Sequence, residues 1–427
     1  MTNEQRDAIG RLVPQSWMKA AETRTLFKAL KSGGNEARFI GGCVRNALVG
    51  LPVKDIDIAT TETPHRVLKL LKAANIKAIP TGLEHGTVTA VINSIHYEIT
   101  TLRIDAENHG RRATVAFTDD WVADAQRRDF TINTMSSTIE GDVFDPLSGM
   151  DDLDKRRVRF VGSPKLRIEE DVLRLLRFFR FHSTFGGNIV DQAAITACRT
   201  LAPRLNELSA ERVQSELFKI LEAPNTFNTM ILMNNEQVLK YVLPEAKNFS
   251  RLRTMVWLET HLYNIDTVYP DKLRRLAAML PIDEAGHAAL AKRLRLSNQQ
   301  CSRLAIMTNF THFLTPELSQ LKHNHALYDL GADNFRDLAL LNWAQEKTIE
   351  RQHFPERTEH WIDLIDAADT WQQPAFPIKG DDAKKLGLKQ GPAVGRALGK
   401  VESWWRDGNF QANKKQCINQ LKQVIKG

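Results

Sequence analysis

Over the first 160 positions short apolar runs alternate with turn residues, and after them the pattern changes abruptly. Segments 38–40, 56–58, 86–92, 95–102, 113–117 and 158–161 each read as a β-strand bounded by turn signals. Between them Thr63-Pro64 predicts a helix start, with Thr as cap and Pro in the first position, continued by Val67, Leu68, Leu70 and Leu71. Segment 102–112 is polar and carries Gly110, so it reads as a mobile loop between two strands. An α/β domain built on a sheet is expected here. From Ile168 onward strand signals nearly vanish and apolar residues recur at three and four: Val172, Leu175, Leu176 and Phe179, then Val213, Leu217, Ile220 and Leu221. The remainder is expected to be helical, punctuated by Pro224, Pro244, Pro270 and Pro281, without a fixed-period repeat.

Composition adds limits. A chain of 427 residues exceeds what one hydrophobic core holds, so two or more domains are expected, and 42% apolar with 26% charged residues argues against disorder. No apolar run reaches the roughly 18 residues of a membrane span, and the start, Met-Thr-Asn-Glu-Gln-Arg-Asp, lacks the order of a signal peptide; a cytoplasmic location is expected. Cys43, Cys198, Cys301 and Cys417 lie far apart, with no zinc spacing, and His323 and His325, the closest histidine pair, read as ordinary surface or core residues. The net charge is +7, and its position says more than its size: residues 379–427 hold 11 basic and 4 acidic groups, while the rest hold 47 of each. Such a tail suits an acidic partner such as nucleic acid. Within it Gly387, Gly391, Gly395 and Gly399 recur every four residues. On a helix they would admit another backbone, RNA included; Pro392 makes part of the stripe a turn, and a turn plus close helix packing is the plainer expectation.

Four segments carry candidate chemistry. Gly41-Gly42-Cys43-Val44-Arg45-Asn46 follows a strand and opens a helical stretch, where backbone N–H groups and Arg45 could meet a phosphate; alone, it is only a turn. In Lys54-Asp55-Ile56-Asp57-Ile58 strand alternation puts Asp55 and Asp57 on one face, two carboxylates that repel unless a cation neutralises them. Magnesium, which favours carboxylates plus substrate phosphates, suits the pair. Arg127-Arg128-Asp129-Phe130-Thr131-Ile132-Asn133 brings two guanidinium groups, an acid and an amide, as a triphosphate site would require. Finally, in the stretch from Glu170 to Arg180 (EDVLRLLRFFR), read as one helix, Asp171 and Arg174 are neighbours and Arg180 faces roughly the opposite side. Arginines on so apolar a helix are costly unless paired or bound to anions. Asp171, Arg174 and Arg177 are therefore expected to address a ligand, while Arg180 is open to either an ion-pair or a ligand role.

These four motifs, in this order, resemble the tRNA nucleotidyltransferase and poly(A) polymerase family of the DNA polymerase beta-like superfamily, in its bacterial and eukaryotic branch, and within it the CCA-adding enzymes. The likeness covers roughly residues 35–222, including Asp145-Pro146, 158–162 and the Glu211-Arg212 helix, and resumes at 376–398. The resemblance implies an α+β chain: a polymerase-beta-like head with a mixed sheet over 1–155, then an all-α neck (156–222), body (223–320) and basic, tRNA-binding tail (321–427). It implies Mg²⁺-dependent addition of C, C and A to the 3′ end of tRNA from CTP and ATP without a template, with pyrophosphate leaving. By motif, Gly42 and Arg45 would contact the incoming nucleotide, Asp55 and Asp57 would bind the metal, and Arg128 would hold triphosphate. Asp171 and Arg174 would read the base, with Arg177 and Arg180 supporting the site. Superfamily sites often add a third carboxylate from a neighbouring strand, for which Glu98 is the candidate. Asn46 stands where the family usually has Asp. The loop after Arg103 would help reorient the site between C and A addition.

Hydrogen-bond inventory agrees with that assignment. Cytosine and adenine both present an amino donor beside a ring-nitrogen acceptor, whereas an ionised Asp only accepts and an Arg only donates, so Asp171 with Arg174 complements C and A and mismatches U and G. A poly(A) polymerase or an enzyme adding only A remains the nearest alternative. An inactive RNA-binding relative is disfavoured by the intact pair of aspartates, and a small-molecule nucleotidyltransferase by the long helical remainder.

Overall fold

The computed structural model describes residues 7–107, 114–262, 264–281, 284–309, 314–349 and 355–426. They form two compact units, Met1–Val242 and Leu243–Gly427. The described residues of the first contain ten strands: β1 (Gly10–Arg11), β2 (Ala37–Ile40), β3 (Ile56–Thr60), β4 (Lys77–Gly82), β5 (Thr87–Ile92), β6 (Ile95–Thr101), β7 (Arg103–Glu107), β8 (Thr114–Phe117), β9 (Ser136–Ser137) and β10 (Asp142–Phe144). Eight make one mixed sheet in the order β1-β10-β9-β2-β3-β6-β5-β4, and β7 pairs with β8 alone. The pair β3–β6 is parallel, with Asp57 opposite Glu98 and Ile58 opposite Ile99, and its neighbours are antiparallel. Alternation therefore sends Ile58, Tyr97 and Ile99 to one face, fully buried, and Asp57 and Glu98 to the other.

Helices Ala21–Lys31 and Pro64–Ala73 cover the apolar face. Leu26, Phe27, Leu30, Val67 and Leu71 are buried there, the Phe27 and Phe39 rings lie 4.6 Å apart, and the Tyr97 hydroxyl meets Thr23 Oγ1 at 3.0 Å. Burying each such side chain contributes about 1.5–3 kcal/mol, and the opposite sheet face is left for chemistry. Thr63 does stand at the cap of the second helix with Pro64 first in it, but its side chain makes no cap bond. Beyond the sheet the first unit is helical, through Pro164–Glu170, Leu173–Phe185, Gln192–Leu201, Ala210–Glu222, Thr226–Asn235 and Leu239–Val242. The periodic residues Leu175, Leu176, Phe179, Leu217, Ile220 and Leu221 are buried, as expected.

Several local expectations fail for physical reasons. Segment 158–161 is no strand: it makes one isolated bridge, Phe160 to Phe130, because Phe160 packs into an aromatic cluster with Phe130 and Phe178 at 4.6 and 5.8 Å. The first half of segment 102–112 is strand β7, and β4 escaped notice because Pro80 and its polar alternation disguise an edge strand. The tip of the expected loop, 108–113, lies outside the described residues.

Among the described residues of the second unit only helices occur, including Gln320–Leu330, Gly380–Lys385, Pro392–Asp407 and Lys414–Lys426. The last of these share a core of Ile378, Val394, Val401, Trp405, Cys417 and Leu421. His323 and His325 hold backbone oxygens of Thr315 and Arg406 at 2.9 and 2.7 Å, structural roles both. The glycine stripe divides: Gly387 (φ +94°) and Gly391 (φ +150°) make turns, whereas Gly395 and Gly399 sit on the Pro392–Asp407 helix with open space where a Cβ would lie. The turn was expected; the close packing is absent at Gly395 and Gly399 among the described residues. No helix of the described residues is long and apolar enough to cross a membrane.

Candidate active site

One cavity of about 600 Å³ opens on the polar side of the first unit, lined by residues of four segments and by Arg212 from a fifth, the Ala210–Glu222 helix. From the first come Gly41, Gly42 and Arg45. Gly41 has φ +70°, a conformation glycine adopts without strain, and it lies beside Arg128 Nη1. Arg45 is nearly buried; its Nε and Nη2 donate to Asn46 Oδ1 at 3.1 and 2.8 Å, and its Nη1 donates to Asn133 Oδ1. Burial, then the charge of Arg180, pulls Arg45 down to about 10. The Asn46 nitrogen donates to Pro52 O at 3.1 Å, a bond an aspartate could not make. Cys43 is buried beside them, its thiol pushed up to about 11 by burial, which suits a space-filling role.

Asp57 comes from β3. Burial, then repulsion from Glu98 with a further contribution from Asp55, raises it to about 6 against the opposing pull of Arg128. Asp55 precedes the strand rather than lying on it, and it is exposed. It and Glu98 fall outside the cavity lining. Among the described residues no three His, Cys, Asp or Glu groups converge as a ready metal cage. The donor set still fits a hard divalent ion, which commonly takes one or two carboxylates and completes its shell with substrate phosphates, and the mutual repulsion felt by Asp57 is what a cation would relieve.

The third segment supplies Arg127, Arg128, Asp129 and Asn133. Burial alone would raise Asp129, but Arg177 (Nε 2.7 Å) and donors from Asn133 (3.0 Å) and the Phe130 N–H (2.9 Å) outweigh it and hold the carboxyl below its usual range. The fourth segment corrects the reading of one continuous helix. The chain breaks at Asp171 (φ −148°, ψ 107°), between helices Pro164–Glu170 and Leu173–Phe185. Polar side chains make the break favourable: Asp171 accepts from the Leu173 N–H at 3.1 Å, and Arg174 donates to the Arg167 carbonyl at 3.1 Å and to Glu170. Asp171 and Arg174 both line the cavity, but the ion-pair partner of Asp171 is Arg212, at 2.9–3.0 Å. Arg180 does pair with Glu216, at 3.1 Å, and lines the cavity as well.

Seven arginines and three aspartates line this space. Asp124, Glu170 and Glu216 grip the arginines without lining it themselves, which leaves a positive inner surface suited to an anion.

Comparison with known proteins fits this geometry. Residues 37–159 match the poly A polymerase head domain, and 190–250 match a probable RNA and SrmB-binding site of polymerase A. The chain is 32% identical over 395 residues to the mitochondrial CCA tRNA nucleotidyltransferase 1 of Danio rerio, covering 91% of this chain and 87% of that one. The chain belongs to the CCA-adding tRNA nucleotidyltransferase family. It is also 29% identical over 397 residues to the CCA-adding enzyme of Leuconostoc citreum. The Bacillus stearothermophilus CCA-adding enzyme, solved in complex with CTP, shares its fold, with a TM-score of 0.72 at 24% identity over 94% of this chain and 96% of that one. Members of this family generally use a divalent metal.

For a nucleotidyltransferase, eight of the ten expected site residues line one cavity: Gly42, Arg45, Asp57, Arg128, Asp171, Arg174, Arg177 and Arg180. Sequence reasoning passed over Arg212 and Phe181 as site residues, and it placed Asp129 and Asn133 in a candidate segment without giving either a role of its own. Phe181 lies beneath the guanidinium groups of Arg45, Arg177 and Arg180, at 5.1, 5.4 and 4.4 Å. Its helical spacing with Arg177, four residues earlier, was the available signal.

Proposed function

We propose that this enzyme rebuilds the 3′ end of tRNA in the cytoplasm, adding C, C and A in turn from CTP and ATP and releasing pyrophosphate. The observation that carries this reading is one cavity lined by seven arginines, Arg174 among them, together with Asp57 and Asp171, in which a triphosphate would lie beside Asp57 while a base reached Asp171 and Arg174. Arg128, Arg45 and Arg177 would hold the triphosphate, with the Gly41-Gly42 turn allowing backbone approach. Asp171, steadied by Arg212, would accept from the amino group of cytosine or adenine, and Arg174 would donate to the adjacent ring nitrogen. Asp55 and Asp57, with Glu98 across the strand pair, would hold Mg²⁺. When bound, that ion would lower the pKa of the attacking 3′-hydroxyl and neutralise charge on the departing pyrophosphate.

The test incubates the protein and Mg²⁺ with tRNA lacking its terminal CCA, together with CTP, ATP or both, and sequences the products. Addition of CCA that then stops supports the proposal. A long A tail would instead identify a poly(A) polymerase, and addition of A only to tRNA already ending in CC would identify an A-adding enzyme.

A further inference from the structure

Asp124 stands behind the site and is the most heavily used carboxylate near it. It sits on the Trp121–Gln126 helix and is only 1% exposed. Its Oδ2 takes the Nε and Nη2 edge of Arg128 at 3.2 and 2.9 Å, which leaves Nη1, the atom nearest Gly41, facing the cavity. Its Oδ1 takes Nε and Nη2 of Arg127 at 2.8 and 2.6 Å, and also the Arg103 N–H, at 3.2 Å. Arg127 Nε donates as well to the Arg103 carbonyl, at 3.1 Å. One carboxylate therefore fixes Arg128 and the Arg103 N–H, and through Arg127 it reaches the carbonyl of that first residue of β7 as well. Burial alone would raise it, but Arg128 and Arg127 outweigh that and keep it ionised.

We infer that Asp124 is a positioning residue that presets Arg128 for the triphosphate and couples it to the β7 strand, so that nucleotide binding and the order of β7 rise and fall together. This rests on the reading of the cavity as a nucleotide site. Two arginine forks on one carboxylate cannot be matched by an amide, which keeps a single acceptor oxygen and turns two N–H donors toward the arginines.

The experiment measures steady-state CTP incorporation into tRNA lacking CCA, and hydrogen exchange of the 103–107 backbone with and without saturating CTP, in the full chain and its Asp124→Asn variant. For the variant we expect KM for CTP to rise about tenfold or more with kcat changed less than about threefold, and the CTP-induced protection of 103–107 seen in the parent to disappear. A merely structural role would lower the active fraction and leave KM and the protection intact, overturning the inference. Should Asp124→Asn not fold, Arg127→Met keeps the Arg128–Asp124 pair and cuts a link to Arg103: the CTP-induced protection of 103–107 should then fall, and full protection would overturn the coupling. A parent chain that shows no CTP saturation at all would instead sink the nucleotide-site reading, an outcome no variant comparison can imitate.

Discussion

Replacing Asp57 by Asn should destroy activity and yet stabilise the metal-free protein. Asp57 sits beside Glu98 on the polar sheet face, with Asp55 just before the strand, and burial with repulsion from both raises it from 3.8 to about 6. A carboxyl whose folded pKa lies above its unfolded one costs nothing when both states are protonated. The cost grows as pH rises from about 4 to about 6 and is constant above. At 1.36 kcal/mol per unit the ceiling is about 3 kcal/mol, and screening by solvent over a half-buried group reduces it to about 1–2 kcal/mol. In a unit of this size that corresponds to a Tm rise of about 3–6 °C at pH 7.5. The assay is thermal unfolding of parent and variant in EDTA from pH 4 to pH 8, repeated with Mg²⁺. The variant should gain over the parent only above pH 4, reaching a plateau near pH 7, and Mg²⁺ should stabilise the parent alone. A variant less stable than the parent at pH 7.5, or a difference independent of pH, would refute this account of the site.

Three further outcomes rest on particular side chains. Asp171→Ala should lower discrimination of CTP over UTP by about tenfold or more, and Arg212→Ala, which frees Asp171, should do so to a smaller extent; single-nucleotide incorporation reads both. Exchanging Lys389, Lys400, Lys415 and Lys422 for Gln should weaken tRNA binding and flatten its salt dependence by about one unit of log-log slope for each phosphate no longer neutralised, with KM for CTP unmoved; these lysines are exposed on the described tail. Asn46→Asp gives Arg45 a full countercharge and removes the donor to Pro52, so KM for CTP should rise by about threefold to tenfold; an unchanged KM would show that Arg45 does not hold the phosphates.

The fold class and the residue types of the site were legible because both depend on short-range pattern. A period of two set Asp57 and Glu98 on a face opposite Ile58 and Ile99, and a period of three to four marked the buried stripe of Leu175, Leu176 and Phe179. What was not legible lies at long separation or in competition between local terms. The break at Asp171 was missed because a helical wheel counts faces and not caps: the Leu173 N–H and the Arg167 carbonyl gain charged partners only if the helix stops. Segment 158–161 has strand-like composition, but Phe160 is claimed by Phe130 and Phe178 rather than by the sheet.

The partners of the arginines are the deepest omission, and they change what the site is. Arg177 meets Asp129 across 48 positions, Asp171 meets Arg212 across 41, and Arg180 meets Glu216 across 36, so no motif of seven or eleven residues could contain them. Seven guanidinium groups around one cavity would repel one another; carboxylates placed behind them offset that repulsion while leaving their inner edges open. Arg45 is held differently. It is steadied by two amides, Asn46 and Asn133, and it is this arginine that burial and Arg180 pull down to about 10. On the proposed reading, a phosphate beside the Gly41-Gly42 turn would meet one guanidinium that, among the described residues, no carboxylate hydrogen-bonds, and the binding energy gained there would not be spent displacing an existing ion pair.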